Sequence, residues 1–189
     1  MIALTSTISS MSGMEKVDHY ISDIARDGGH AALEKLYLCT KDAVYGYALS
    51  ILKNTHDAED VLHDCYISVY QTAHSYVSAG KPMAWIFTIT RNLCLSKIRS
   101  HSRFADVPEE DWERYLESNA RVSAEDKLVL EHCLRDLADD EREILLLHIL
   151  SGMKHREIAE LLNRPLSTIL SKYHRALKKM RALLNEEDR

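Results

Sequence analysis

Only three prolines and six glycines interrupt this chain of 189 residues. All but Gly46 fall between segments whose apolar residues recur every three or four positions rather than every second one. So few breakers, with almost no strand-type alternation, predict an all-α protein. Gly28-Gly29 separates a short first helix from one over residues 31–52, whose inner side carries Leu33, Leu36, Val44, Tyr47, Ala48 and Ile51. Asp57 reads as the cap of a helix over residues 58–73. Pro82, shortly after Gly80, sits where a first helical turn accepts proline, and a fourth helix runs on toward Arg99. Asp139 reads as the cap of a later helix that Gly152 closes.

In the last quarter, Ile158-Ala159-Glu160-Leu161-Leu162 is followed by Asn163-Arg164-Pro165 and then by a run from Ser167. This pattern is helix, tight turn, helix. On the second helix Ile169, Tyr173, Leu177, Met180 and Leu184 form one apolar stripe, while Lys172, Arg175 and Lys179 fall on another face. Residues 154–181 hold eight Lys or Arg (Lys154, Arg156, Arg164, Lys172, Arg175, Lys178, Lys179, Arg181) against Glu157 and Glu160, a balance of plus six in a chain of net charge −5. That contrast favours two units, one with a core-facing and a phosphate-facing side on the same helix. Two helical bundles are expected, over residues 16–103 and 123–189, with residues 1–15 a disordered amino-terminal segment. Residues 104–122 are an acidic flexible linker between the bundles.

The linker rests on a change of composition: Asp106, Glu109, Glu110, Asp111, Glu113, Glu117, Glu125 and Asp126 meet only Arg114, Arg121 and Lys127 over residues 104–127. A connection this long is functional or mobile, and Trp112 with Tyr115 suggests that it touches something. Ser123 and Asp126 have the spacing of a capping box that opens the second bundle. Cys39, Cys65, Cys94 and Cys133 are far apart and include no CxxC pair, which argues against a zinc site or disulfide framework and for a reducing cytoplasm. No apolar run approaches the ~20 residues of a membrane span, and residues 1–13 lack the basic start and apolar run of a signal peptide. Direct membrane insertion is therefore not expected.

In their order and spacing, these elements resemble the bacterial extracytoplasmic-function (ECF) sigma factors, two-domain initiation subunits of RNA polymerase in the sigma-70 family. The residues carrying the likeness are Asp57-Ala58-Glu59-Asp60-Val61, Ala84-Trp85-Ile86-Phe87-Thr88-Ile89-Thr90-Arg91-Asn92, Asp140-Glu141-Arg142-Glu143-Ile144-Leu145, Glu157-Ile158-Ala159-Glu160-Leu161-Leu162 and residues 167–176. Each alone is weak. Together, on either side of an acidic linker, they are specific.

The resemblance implies that Asp57, Glu59, Asp60 and Asp64 meet the coiled coil of the polymerase clamp, while the polymerase flap takes the second bundle. It gives the fourth helix and the loop before it to the minus-ten promoter element, through Tyr76, Trp85, Arg91, Asn92, Lys97 and Arg99, with Arg103 beyond. The loop of residues 76–81 lacks the aromatic and arginine pair that many relatives carry there. The minus-thirty-five element falls to Ser167, Leu170, Ser171, His174 and Arg175 as readers, with Thr168, Lys172, Lys178 and Lys179 on phosphates. Leu170, where relatives often have a cation, either meets a thymine methyl or covers apolar surface. The linker would thread polymerase channels built for RNA, its carboxylates standing in for a phosphate backbone. An anti-sigma protein is implied as a partner, through which alone the chain would reach a membrane, along with a stress- or envelope-responsive regulon.

Each motif also has a plainer reading: helix-start charge for the acids at 57–64, core for Trp85 and Phe87, a solvated face for the cations, a solubilising tether for the linker. No HExxH, phosphate loop or GxSxG is present, and the neighbours in His63-Asp64-Cys65 and His132-Cys133 do not face each other on a helix. The chain therefore reads as a non-enzymatic subunit without metal or cofactor. Two rivals remain: a free-standing helix-turn-helix regulator, and a metal or thiol sensor using the scattered histidines and cysteines.

Overall fold

The computed structural model describes residues 13–101 and 136–187. Residues 1–12, the expected linker with Trp112 and Tyr115, the Ser123 and Asp126 cap, Arg103 and the His132-Cys133 pair lie outside them, as does the side chain of Leu184. The ordered elements among the described residues are all helical, with no strand among them: α1 (Gly13–Asp27), α2 (His30–Leu52), α3 (Thr55–Thr72), a 3₁₀ turn (Ala73–Ser75), α4 (Pro82–His101), α5 (Asp139–Ser151), α6 (His155–Leu161) and α7 (Leu166–Glu187). The expected all-α class holds.

The helix breaks fall where glycine, proline and asparagine put them. Gly28, at φ 60°, ends α1 with its N–H donating to the Ile24 carbonyl, a left-handed conformation that any side chain would strain. Pro82 opens α4 and Gly152, at φ 69°, closes α5. Asn163, at φ 50°, makes the tight turn between α6 and α7, where the Arg164 N–H reaches back to the Ala159 carbonyl. Two expected caps are corrected. Asn54, not Asp57, caps α3: its side chain accepts from the Asp57 N–H at 3.0 Å, so the helix starts at Thr55. Ala138, not Asp139, precedes α5, where the Glu141 carboxylate accepts from the Ala138 N–H at 3.3 Å. In both cases the aspartate lies inside the first turn, where its charge suits the helix dipole but its oxygen is past the capping position.

On α2, Leu36, Val44, Tyr47 and Ala48 are buried and Leu33 and Ile51 half-buried. Helix α1 contributes Val17, Ile21 and Ile24, one face of a helix. Helix α3 adds Leu62, Cys65, Tyr66 and Val69, and α4 adds Met83, Ile86 and Phe87. Phe87 lies flat on Tyr47 with ring centroids 4.8 Å apart, so the plain reading of Phe87 as core is the right one. The same cluster continues without a break into Ile144 and Leu147 of α5, Ile158 of α6 and Ile169 of α7. Leu145 instead joins Leu137 and Ala176 in a small core between α5 and α7. Helix α5 thus buries two sides, and it packs against α2 and α4 as well as α6 and α7.

Candidate nucleic-acid interface

Helix α7 turns Ile169 and Ala176 inward, with Tyr173 and Leu177 half-buried beside them. Ser167, Ser171, His174, Arg175 and Lys178 stand exposed along its outer side, with Thr168 and Leu170 half-buried at its start. The expected phosphate face is more occupied than its spacing implied. Lys172 pairs with Asp140, Lys179 donates to Glu141 Oε2 at 2.7 Å, and the Arg175 guanidinium lies 3.6 Å from the other Glu141 oxygen. Glu141 is only 2% exposed. Burial works against its ionisation, but Lys179, the Ala138 N–H and Arg175 outweigh it and hold the carboxyl below its usual range. Asp140 is likewise lowered against its burial by Lys172 and Arg164. Arg175 remains 59% exposed, so its outer edge stays open to a ligand.

Two histidines complete this half. His148 on α5 makes an Nδ1 contact of 2.8 Å to the Met153 carbonyl and stacks on His155, and Tyr173 meets both rings edge-on. Burial, then the neighbouring His148 and His174, lower the pKa of His155, which stays neutral where an open histidine would begin to charge.

On α4 the residues expected to face DNA separate into two groups. Asn92 and Arg99 are exposed, and Trp85 is half-buried against Tyr76, ring centroids 5.0 Å apart. The Tyr76 hydroxyl donates to Asp18 of α1 at 2.5 Å and the Ser78 hydroxyl to its second oxygen at 2.7 Å, so α1 fixes the loop that leads into α4. Burial, with the Asp18 carboxylate, raises the Tyr76 pKa and keeps that hydroxyl a donor. Arg91 and Lys97 are inside ion pairs. The Arg91 Nε donates to Glu143 Oε1 of α5 at 2.9 Å, and Lys97 binds Asp57 at 3.2 Å and Asp60 at 2.5 Å. The expected minus-ten and polymerase sets therefore touch each other: Lys97 belongs to the first and its partners to the second. Glu59 and Asp64 stand exposed on the same helix.

Two family models match the chain, Sigma-70 region 2 over residues 36–104 and Sigma-70 region 4 over residues 127–180. Among its relatives are the ECF RNA polymerase sigma factor SigM of Bacillus subtilis, 29% identical over 157 residues that cover 81% of this chain and 95% of the relative, and SigK of Mycobacterium bovis, 27% identical over 175 residues that cover 86% and 91%. The chain belongs to the ECF sigma factors. Its fold agrees with that of the sigma factor RpoE solved with the anti-sigma factor NepR from Bartonella quintana, at TM-score 0.60, 23% identity, and 80% and 96% coverage of the two chains. CnrH, solved with the cytosolic domain of CnrY, gives 0.56, 22%, and 90% and 98%. As a sigma factor it works with core RNA polymerase on promoter DNA.

The sigma factor's internal contacts use carboxylates to which the sequence reading gave no role: Asp18 accepts two hydrogen bonds, and Asp140, Glu141 and Glu143, quoted only for the family likeness, form ion pairs. Glu141 alone carried a usable sign, as a glutamate in the third position of a helix, where carboxylates reach back to the chain before the first turn. Nothing local marks Glu143, whose partners Arg91 and Tyr47 lie 52 and 96 positions away. The two buried thiols give little support to a redox sensor. Burial, first of all, pushes Cys65 up to about 11 and Cys94 up to about 12, which leaves few thiolates at neutral pH. Among the described residues, no three His, Cys, Asp or Glu side chains are grouped to hold a metal ion, and no helix is long and apolar enough to cross a membrane.

Proposed function

We propose that this sigma factor divides promoter recognition between its halves: residues 16–103 hold the minus-ten element and the polymerase clamp, and residues 123–189 read the minus-thirty-five element. The observation that carries this reading is the exposed row Ser167, Ser171, His174, Arg175 and Lys178 on a helix seated by ion pairs to the buried Glu141. A helix held rigidly at its base presents its early turns to a major groove at a fixed angle, and Arg175 is long enough to donate to a guanine edge. Thr168 and Lys178 face phosphates, while Lys172 and Lys179 mainly position the helix through Asp140 and Glu141.

In the first half, Asn92, Arg99 and the Tyr76 and Trp85 pair make the surface toward the minus-ten element, with Arg91 joining once it is released from Glu143. Glu59, Asp60 and Asp64 meet the clamp, and Asp57, largely covered by Lys97, orients that lysine instead. Capture of unpaired bases drives melting of the upstream bubble edge, and the polymerase supplies the chemistry. Control by an anti-sigma protein is part of this proposal, supported by two solved structures of like fold, one in complex with the anti-sigma factor NepR and one with the cytosolic domain of CnrY.

The test is run-off transcription with purified core polymerase, with and without the protein, on fragments of host promoters. New discrete transcripts are expected. Tight duplex binding by the protein alone, with no transcripts, would replace this reading with that of a free-standing regulator.

A further inference from the structure

Of the residues proposed to read the minus-thirty-five element, Arg175 has the longest side chain and so the most freedom to lose on binding. It is not left unguided. Its Nε lies 3.6 Å from Glu141 Oε1, beyond hydrogen-bond length but within reach of an ion pair. The other oxygen, Oε2, accepts from the Lys179 ammonium at 2.7 Å and from the Ala138 N–H at 3.3 Å. Glu141 is thus a fixed point on α5, 2% exposed, while Arg175 on α7 is 59% exposed.

That pairing has a direction. A guanidinium carries its N–H donors in a rigid planar fork. With Nε the atom nearest the carboxylate, the terminal nitrogens are left to the solvent side, and these can donate together to a guanine edge. At 3.6 Å the carboxylate orients the fork without consuming a donor. An arginine without such a neighbour samples many rotamers and meets phosphates as readily as bases, and ordering it on the DNA weakens the contact.

The carboxylate acts on affinity as well. Together with Asp140, which takes Lys172 and Arg164, it places two negative charges beside four cations of the helix-turn-helix. Cations held in this way neutralise fewer phosphates, and phosphate neutralisation supplies the sequence-independent part of DNA binding.

We infer that Glu141 is a positioning residue for base readout: it aims Arg175 at one base pair of the minus-thirty-five element and withholds Lys179 from the phosphates, so that discrimination rises while sequence-independent affinity falls. The inference rests on the reading of Arg175 given above. Glu141 itself, being buried, touches no DNA; it works only through the two cations it holds.

The test uses holoenzyme reconstituted from the full chain and core polymerase, on a promoter fragment obtained by run-off transcription. A panel of fragments changes one base pair of the minus-thirty-five element at a time, and binding to each is measured over a range of salt. Arg175→Ala should flatten the preference at one base pair about tenfold and so locate it. Glu141→Gln, which keeps the side chain's shape, should flatten that same base pair about threefold, the scale of one partly exposed ion pair. Preferences at the other positions should stand, and the salt dependence should steepen by about one in slope as Lys179 turns to a phosphate. In an Arg175→Ala background, Glu141→Gln should add no further loss at that base pair. A residue that merely seats the helix would instead weaken every position, in both backgrounds. Glu141→Asp, which keeps the charge but draws it back from Arg175, should flatten the base pair without the steeper salt dependence, and it carries the test if the glutamine variant does not fold. An unchanged preference at that base pair in the folded Glu141 variants, or an equal loss at all positions, would overturn the role of Glu141 and leave Arg175 as a reader. If Arg175→Ala flattens no base pair, the reading of Arg175 itself fails, and the role of Glu141 with it.

Discussion

Helices α4 and α7 both carry the cations that a promoter-binding protein needs, and both have them paired with carboxylates, but one α4 cation, Arg91, has a partner of a different kind. On α7 the partners, Asp140 and Glu141, belong to the same half, so the pairs travel with the helix-turn-helix and seat it wherever it goes. On α4 the partner of Arg91 is Glu143, in the other half, and the pair lasts only while the halves touch. A single turn of α5 thus supplies one carboxylate that pairs within its own half and one that pairs across the halves. Burial tells them apart: Glu141 is 2% exposed and Glu143 20%.

The deepest cut at this comparison goes through what the two helices share. Phe87→Ala removes a fully buried ring from the common core and should cost about 3–5 kcal/mol in urea unfolding; two separate transitions, with the second at its wild-type midpoint, would show that the halves unfold independently. Next comes Glu141→Gln, expected to cost about 2 kcal/mol because it strips charge from a buried acceptor, with hydrogen exchange rising in α5 and α7. Glu143→Gln should cost about 1 kcal/mol or less and leave exchange in α7 unchanged. Equal losses from the two glutamates would erase the distinction.

Acid should act on the second half first. His155 titrates below its ordinary 6.5, so the stability it gives is complete above that value and is lost as pH falls below it toward its lowered folded pKa. Asp140 and Glu141 are also lowered, and their contribution goes only as pH falls through their depressed values, beneath the ordinary 3.8 and 4.5. Circular dichroism between pH 7 and 3 should therefore show a shallow loss of thermal stability near pH 6, absent in His155→Phe, and a steeper one below about pH 4. On function, Arg175→Ala should weaken promoter-directed transcription about tenfold, the scale of one lost bidentate base contact, and leave affinity for core polymerase intact. Lys53→Ala, at an exposed pair, should change stability by under about 0.5 kcal/mol.

Local chemistry made the breaks legible in the sequence. Gly28-Gly29, Pro82, Gly152 and Asn163-Arg164-Pro165 each act through their own backbone, so reading them needs no knowledge of the fold. The caps of α3 and α5 were harder, because an aspartate in the first turn and one at the cap look alike in a string of letters. Lys97 was legible as a cation on a helix, but its junction with Asp57 and Asp60 forms across 37 to 40 positions and depends on how α3 and α4 cross. The Arg91–Glu143 pair was the least legible of all. Glu143 sits among acids that any helix start would favour, and only packing of α5 on α2 and α4 makes it a partner of Arg91 rather than a solvated charge.

The hydrogen bonds from Tyr76 and Ser78 to Asp18 bear on how such proteins can be recombined. The matched region 2 begins at residue 36, yet the loop that leads into α4 is held by a carboxylate eighteen residues upstream of that boundary, on a helix that also places Val17, Ile21 and Ile24 beneath it. A chimera cut at residue 36 would carry the side chains proposed to face the promoter without their splint. To transplant promoter preference between relatives, the graft must start at α1.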